Sequence, residues 1–212
     1  MGCIICDGPE TVRPATVAPF VAERMYLGDP PEVELAECQE CGFSWFTCWP
    51  TPDEAERMYL GYRGAEYQRQ RQSFEPDYTP EFNESLGCAP LCAPQRMRVL
   101  DYGGDGRYLD SELRYAYDIS GNGTPDGVTL WNGEPVDLVL CCHVLEHVAS
   151  FGSLLRRLQG LAAVYIEVPA KRPTRAVMHE HINFFTPESL TILTGAEFSV
   201  VEGVICGLVP GA

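Results

Sequence analysis

The stretch Val99-Leu100-Asp101-Tyr102-Gly103-Gly104-Asp105-Gly106 decides the fold of this 212-residue chain. A short apolar strand ends in a carboxylate and then breaks into glycines. Glycines let the backbone turn sharply and let a ligand approach main-chain N–H groups. A helix predicted over Arg107–Arg114 would add the partial positive charge of its N-terminus at the same place. These features predict a site for a nucleoside-containing cofactor.

Short apolar stretches alternate with helical ones from Arg98 onward, which is typical of a doubly wound α/β sheet. The predicted strands are Val99–Tyr102, Tyr115–Asp118, Val128–Leu130, Val136–Cys142, Ala163–Val168 and Phe198–Ile205. Two further helices are predicted, Phe151–Gln159 and Pro187–Thr194. Because ligands of such sheets bind beyond the carboxyl ends of the strands, Asp118 and the segment Cys142–His147 become candidate site residues.

The charge balance argues against a nucleic-acid partner. The chain carries 30 acidic and 15 basic residues, a formal net charge of −15, and Lys171 is its only lysine. A phosphate backbone would be repelled by such a surface. We expect a cytoplasmic protein, because the sequence contains neither a long apolar run nor a recognisable secretory signal.

Two cysteine pairs near the N-terminus predict a structural zinc ion. Cys3 and Cys6 form one C-x2-C pair, and Cys38 and Cys41 form another, followed by Gly42. Two such turns complete a tetrahedral Zn(Cys)4 site with no open position. Four unligated thiols are the alternative for these pairs. Strands predicted over Thr16–Phe20 and Val33–Ala36 would make the rest of a zinc ribbon.

A helix is predicted to follow the ribbon. Thr51 can serve as its N-cap and Pro52 as its first residue, with acidic residues in the first turn. Tyr59, Tyr62 and Tyr67 lie farther along this region. Aromatic residues at helical spacing are more often packing residues than ligand contacts.

The main part of the chain resembles class I S-adenosylmethionine (SAM)-dependent methyltransferases. The matching segments are Val99–Gly106, Tyr117-Asp118, Val136–His147, Tyr165–Pro169 and His179–Leu190. They span about half of the chain. The cysteine pairs and the tyrosine-rich helix resemble the front end of sugar C-methyltransferases and related enzymes of small molecules or glycans. The implied domains are a zinc ribbon (1–50), a helical segment and linker (51–95) and a SAM-dependent methyltransferase domain (96–212).

The resemblance implies roles for particular residues and a small-molecule or carbohydrate acceptor for the methyl group. The residues implied to bind or border SAM are Asp101, Gly103, Gly104, Gly106, Asp118, Asp137, His143 and Glu146. The candidate catalytic residues are His179, His181, Glu180 and His147. Among these, His179 or His181 would act as the base, with carboxylates orienting it. The alternative is that His147 caps a helix and that His181 fills a polar niche in the core.

Three departures from the family pattern leave other functions open. The glycine loop is one residue short of D-x-G-x-G-x-G, the segment between Asp118 and Asp137 is short for a crossover helix, and little chain remains for the customary final antiparallel hairpin. A degenerate methyltransferase fold acting as a binding module is one alternative. An enzyme that uses a nicotinamide or a nucleotide sugar is the other.

Overall fold

The structure is a computed structural model that describes residues 2–62, 64–74, 76, 97–104, 106, 113–118, 124, 126–170 and 176–212. Its helices are α1 (Pro19–Met25), α2 (Pro52–Tyr59), α3 (Ala65–Phe74), α4 (Phe151–Gln159) and α5 (Pro187–Thr194). One 3-10 turn among these described residues, Leu145–His147, is called the LEH turn. The first six strands are β1 (Glu10–Val17), β2 (Val33–Cys38), β3 (Ser44–Phe46), β4 (Arg98–Tyr102), β5 (Leu113–Tyr117) and β6 (Thr129–Leu130). The last six are β7 (Leu138–Cys142), β8 (Ala163–Pro169), β9 (Val177–Met178), β10 (Asn183–Phe184), β11 (Ser199–Val201) and β12 (Val204–Val209).

The larger sheet has seven strands in the order β11-β12-β8-β7-β4-β5-β6. Strands β6, β5, β4, β7 and β8 are parallel, and β4 lies between β5 and β7. This order reverses direction between β4 and β7, as in a Rossmann-like sheet, so that a crevice forms beyond their carboxyl ends. The predicted α/β fold class is confirmed.

The sheet ends in an antiparallel hairpin, which corrects one expectation. A single strand was predicted over Phe198–Ile205, with little chain left for the hairpin. Instead β11 and β12 pair through a turn at Glu202 and Gly203, whose φ angles are 46° and 89°. Two successive residues with positive φ make the tight connection that suits the twist of paired strands. Strand β12 then pairs antiparallel with β8 along six residue pairs.

The smaller sheet has five strands in the order β10-β3-β2-β1-β9. Its three central strands come from the N-terminal part of the chain and pair antiparallel. Both of its edges come from the segment 177–184, because β9 pairs with β1 and β10 pairs with β3. Residues 177–184, which the sequence analysis places in the methyltransferase domain, thus join the sheet of the ribbon.

A few other predicted elements differ from those observed. The strand predicted over Thr16–Phe20 is wrong, because β1 ends at Val17 and α1 begins at Pro19. Of the helix predicted over Arg107–Arg114, residues 107–112 lie outside the described residues, and Leu113 and Arg114 belong to β5. Helices α4 and α5 have the predicted bounds.

One hydrophobic core joins the two sheets. Buried Phe43, next to the cysteine pairs, packs its ring 5.6 Å from that of Phe151 and 5.1 Å from that of Phe185. Phe151 begins α4, and Phe185 precedes α5. Because these rings belong to one cluster of buried side chains, the cysteine pairs are anchored on the larger sheet's helices. Within the described part of the chain, no helix combines the length and apolar character needed to cross a bilayer.

Candidate active site

The glycine loop after β4 is closely packed although it is one residue short. Gly103 and Gly106 have φ angles of 89° and 74°. A Cβ atom at Gly103 would lie 2.4 Å from a methyl carbon of Val144, so the backbone approaches this side chain more closely than any larger residue allows. Asp101 Oδ2 accepts a hydrogen bond of 2.9 Å from the Gly106 N–H. Asp101 therefore shapes the loop from within.

A cleft of about 380 Å³ opens beside Gly103 at the point where the strand order reverses. Its lining residues are Tyr102, Gly103, Tyr117, Val144, Val148, Ser150, Ser153, Leu154 and Arg157. The rings of Tyr102 and Tyr117 are stacked with their centroids 4.9 Å apart. Arg157 donates a hydrogen bond to the Tyr102 hydroxyl. The cleft is of ligand size, with apolar and aromatic walls and a few polar groups.

The LEH turn, which follows β7, carries two ionisable side chains between two residues that line the cleft. Val144 and Val148 line the cleft, and Glu146 and His147 lie between them in the chain. Donor atoms of Glu146, His147 and His181 all lie within 4.8 Å of one another. The rings of His147 and His181 are 4.6 Å apart and nearly perpendicular. The structure thus brings together three of the residues proposed from the sequence, and we call them the Glu–His cluster.

His143 connects the Glu–His cluster to β8. Its Nε2 lies 3.1 Å from Glu167 Oε1 and its Nδ1 lies 3.4 Å from Glu146 Oε1. Burial would lower the pKa of His143, but these two carboxylates outweigh it and raise the pKa to about 9. The ring is therefore protonated at neutral pH, and its Nε2–H donates to Glu167. Burial and the neighbouring His147 lower the pKa of His181 to about 4, which leaves that imidazole neutral.

Two elements of the N-terminal region complete the site. The Tyr59 hydroxyl of α2 lies 2.7 Å from His147 Nδ1, and the Glu180 carbonyl oxygen lies 3.0 Å from the same nitrogen. The buried Glu180 carboxylate accepts a hydrogen bond of 3.0 Å from the Tyr67 hydroxyl and forms an ion pair with Arg71. Although burial would raise it, the pKa of Glu180 is held below its ordinary value, chiefly by Arg71.

Sequence reasoning missed four residues of this network, namely Tyr59, Tyr67, Arg71 and Glu167. The tyrosines were assigned to packing, and they do pack: the ring centroids of Tyr59 and Tyr62 are 5.5 Å apart. Nothing in their spacing indicates that their hydroxyls meet groups far along the chain. For Glu167, the isolated acid within the apolar run of β8 was an available signal.

Other predicted site residues lie elsewhere. Asp118 follows β5 at the carboxyl edge of the sheet, next to the cleft residue Tyr117. Asp137 precedes β7 at the opposite edge, where its carboxylate binds the Arg98 guanidinium at 2.6 and 3.0 Å. This position does not suit the cofactor role proposed for Asp137. His179 is exposed and is not part of the Glu–His cluster.

The four N-terminal cysteines form a cluster that could bind a metal ion. The Sγ atoms of Cys3, Cys6, Cys38 and Cys41 all lie within 4.8 Å of one another. Two of the sulfur–sulfur distances are 3.7 and 3.5 Å, near the edge of roughly 3.8 Å that a zinc–sulfur bond of about 2.3 Å gives in a tetrahedron. Backbone N–H groups point at Cys3 and Cys38.

The cysteine cluster is connected to the Glu–His cluster by a short series of contacts. Strand β3 pairs with β10. The Asn183 side chain of β10 donates hydrogen bonds of 3.0 and 2.9 Å to the carbonyls of Leu145 and Val148, which flank the candidate residues. The Ile182 N–H donates to the Glu146 carbonyl at 2.8 Å. The ribbon therefore supports the LEH turn.

No family model and no curated protein sequence matches the chain. Among solved structures, it is similar to the N-terminal domain of EvdMO1 in the presence of S-adenosylhomocysteine (SAH) and D-fucose. That match has 14% identity and a TM-score of 0.35, with 56% of this chain and 76% of that chain covered. The same domain with SAH bound matches at 14% identity and a TM-score of 0.35, with 56% of this chain and 75% of that chain covered.

Magnesium protoporphyrin IX methyltransferase (ChlM) from Synechocystis PCC 6803 with bound SAM matches at 16% identity and a TM-score of 0.35, covering 53% of this chain and 70% of that chain. Values this low describe a distant likeness. The Rossmann-like strand order and the closing antiparallel hairpin are features of the chain itself.

Proposed function

We propose that the chain is a SAM-dependent methyltransferase of small-molecule or carbohydrate acceptors, with a structural zinc ion in its cysteine cluster. The observation that carries this proposal is the position of the LEH turn, which bears Glu146 and His147 and is flanked by two valines that line a cleft at the switch point of a Rossmann-like sheet. A cofactor pocket and a group able to move a proton are then neighbours, as transfer to a hydroxyl requires.

The residues around the cleft suit the parts of SAM. Asp118, at the carboxyl end of β5, would accept hydrogen bonds from the ribose hydroxyls. The glycine loop would face the methionine part through backbone N–H groups, and the stacked tyrosines give the cleft an aromatic wall. When bound, SAM supplies an electrophilic methyl group and a neutral leaving group. Positioning of the acceptor is then the main task left to the protein.

His147 is the proposed proton acceptor. Since the Glu180 carbonyl can only accept a hydrogen bond, its contact with Nδ1 assigns the ring proton to that nitrogen. The Nε2 atom then keeps its lone pair and lies 4.0 Å from Glu146 Oε1. Glu146 and the neutral His181 would orient the acceptor hydroxyl, and His147 Nε2 would take its proton. Glu180 contributes through its backbone oxygen, while its carboxylate anchors α3.

Zinc fits the cysteine cluster because four thiolates at these separations close a tetrahedron. The N–H groups aimed at the sulfurs stabilise negative charge there. Burial would raise the pKa of Cys38, but backbone donors from Cys41 and Glu40 together with the neighbouring Cys6 and Cys41 thiols lower it to about 7. An ion held by four sulfurs has no open position, so its role is to fix the ribbon and not to react.

Titration calorimetry with SAH tests the cofactor assignment. We expect one SAH to bind per chain and the Asp118→Ala substitution to weaken binding at least about tenfold, or 1.4 kcal/mol. Asp137→Ala is the matched control, since this carboxylate lies at the other edge of the sheet and should leave affinity unchanged. Absence of SAH binding, with NAD or a UDP-sugar raising the melting temperature instead, would overturn the proposal.

A second experiment separates an enzyme from a binding module. Labelled SAM would be incubated with the protein and a panel of monosaccharides, sugar nucleotides and phenols. His147→Ala is expected to abolish labelling of the acceptor while SAH affinity stays within about twofold. If SAH binds normally and no acceptor of any of these classes is labelled by the unaltered protein, the binding-module alternative replaces catalysis.

A further inference from the structure

The Glu–His cluster combines donor atoms that metal sites commonly use. Glu146 offers a carboxylate oxygen and His147 and His181 each offer an imidazole nitrogen, all within 4.8 Å of one another. Two imidazoles and one carboxylate are a known ligand set of catalytic zinc and of other divalent transition-metal ions. The LEH turn provides two of the ligands, and the segment between β9 and β10 provides the third.

The Glu146 carboxylate is a second, independent indication. Its side chain is 2% exposed, and neither of its oxygens has a hydrogen-bond partner among the described residues. His143 Nδ1, at 3.4 Å, is near Oε1 but does not meet hydrogen-bond geometry, and it too has no such partner there. Buried carboxylates are ordinarily hydrogen-bonded, paired or coordinated to a metal ion. The carboxylate faces the protonated His143 ring at 3.4 Å, and a bound ion would take up the hydrogen-bonding capacity that this ion pair leaves on its two oxygens.

The orientation of His147 is also that of a metal ligand. Its Nδ1–H is directed at the Glu180 carbonyl oxygen 3.0 Å away, with the Tyr59 oxygen at 2.7 Å as a second neighbour. Metal-ligating histidines typically donate their other ring N–H to a backbone carbonyl or a carboxylate in this way, which fixes the tautomer. The free Nε2 faces Glu146 at 4.0 Å.

We propose that Glu146, His147 and His181 bind a divalent first-row transition-metal ion, separate from the ion of the cysteine cluster. Mixed nitrogen and oxygen donors favour such an ion over magnesium or calcium, which prefer oxygen ligands alone. Three protein ligands leave at least one coordination position open. That position would take a hydroxyl or carboxylate oxygen of the acceptor and lower the pKa of a bound hydroxyl.

The role in activating the acceptor rests on the proposed function, whereas the binding of the ion does not. With the ion bound, His147 Nε2 would be a ligand, and the metal would replace it in activating the hydroxyl. The protein could bind SAH and transfer methyl groups without an ion at the Glu–His cluster. It could also bind the ion without doing either. The two proposals are therefore tested separately.

The experiment uses protein produced with Co²⁺ as the only added transition metal, so that the cysteine cluster is never without an ion and Co²⁺ is the probe at both sites. Cysteine-bound Co²⁺ has a strong thiolate charge-transfer band, which a site of nitrogen and oxygen ligands lacks. Mass spectrometry of metals after gel filtration gives the stoichiometry. We expect the unaltered protein to retain one ion more than the Glu146→Gln and His181→Ala variants, while all three keep the charge-transfer band.

His179→Ala is the matched control, because this exposed histidine lies two positions from His181 and should leave the stoichiometry unchanged. The charge-transfer band reports an intact ribbon in each variant. A measurement on the unaltered protein adds an independent check: Co²⁺ should shift the His147 Nδ1–H proton strongly in the NMR spectrum. Equal stoichiometry in all variants, or no shifted imidazole proton, would overturn the proposal.

Discussion

The Tyr59 hydroxyl and His147 Nδ1 lie 2.7 Å apart although 88 positions separate them in the chain. This contact joins α2 to the LEH turn. Nδ1 also lies 3.0 Å from the Glu180 carbonyl oxygen, which can only accept. The Nδ1 proton therefore faces both oxygens, and both halves of the chain contribute to holding the imidazole of His147 in place.

Tyr59→Phe removes one of these two oxygens and should leave the tautomer unchanged, because the Glu180 carbonyl remains. We expect a loss of about 1 kcal/mol in the free energy of unfolding, the typical value of one hydrogen bond. Nitrogen-15 NMR of the imidazole checks the tautomer, and chemical denaturation checks the stability. Tyr26→Phe is the control, since the Tyr26 hydroxyl has no hydrogen-bond partner among the described residues. Protonation of His147 at Nε2 in the unaltered protein or in the Tyr59→Phe variant would contradict the assignment.

Gly103→Ala should destabilise the protein by about 2–4 kcal/mol. The added methyl group would overlap Val144, and alanine would also have to adopt a φ of 89°. Gly133→Ala isolates the backbone part of this effect, because Gly133 has a φ of 92° with nothing within 4 Å of its built Cβ. Thermal denaturation of both variants gives the comparison. Equal losses would mean that Val144 does not restrict the loop, and Val144→Ala should partly rescue Gly103→Ala.

Glu180→Gln should lower the free energy of unfolding by about 3 kcal/mol, as expected when one partner of a buried ion pair is removed. The side chains of Glu180 and Arg71 are 8% and 11% exposed. Glu66→Gln is the control, since Glu66 and Arg69 form a pair of the same chemistry with 80% and 71% exposure. Because solvent screens an exposed pair, the effect of Glu66→Gln should be much smaller than that of Glu180→Gln. Urea denaturation measures both, and similar values would show that burial does not strengthen the Arg71 pair.

Loss of the zinc ion proposed for the cysteine cluster should disrupt the candidate active site as well as the ribbon. A structural zinc site contributes about 10–16 kcal/mol at neutral pH, which is comparable to the whole stability of a domain. Cys38→Ser should therefore lose hydrogen-exchange protection in β3 and β10 and also weaken SAH binding. Cys206→Ser, outside the cluster, should do neither. Normal SAH affinity in Cys38→Ser would mean that the LEH turn does not depend on the ribbon.

Local signals explain which parts of the fold could be predicted from the sequence. Helix α5 has the predicted bounds because Thr186 caps it through a capping box and Pro187 begins it. Asp101 and the glycines of the loop could be recognised from their residue types and their order after an apolar strand. The hairpin of β11 and β12 was missed because Glu202, a residue uncommon at positive φ, occupies its turn.

Long-range placement explains what could not be predicted. The cysteine cluster could be predicted because the two cysteines of each pair lie close together in the sequence. Nothing in the sequence indicated that His181 rather than exposed His179 would meet His147, because β9 and β10 are only two residues each and are held by pairing with distant strands. Asp137 was misjudged because a residue at the start of a strand lies at the edge of the sheet opposite the ligand.

Both edge strands of the five-stranded sheet come from residues 177–184, whereas its centre comes from residues 10–46. During synthesis on the ribosome, β1 and β3 are therefore made long before the strands that cover them. Unpaired strand edges are templates for aggregation, and contacts this distant in sequence form slowly. The outer edges of β1 and β3 therefore stay unpaired until most of the polypeptide has emerged. The risk of misfolding during translation is thus greatest for the cysteine-rich half.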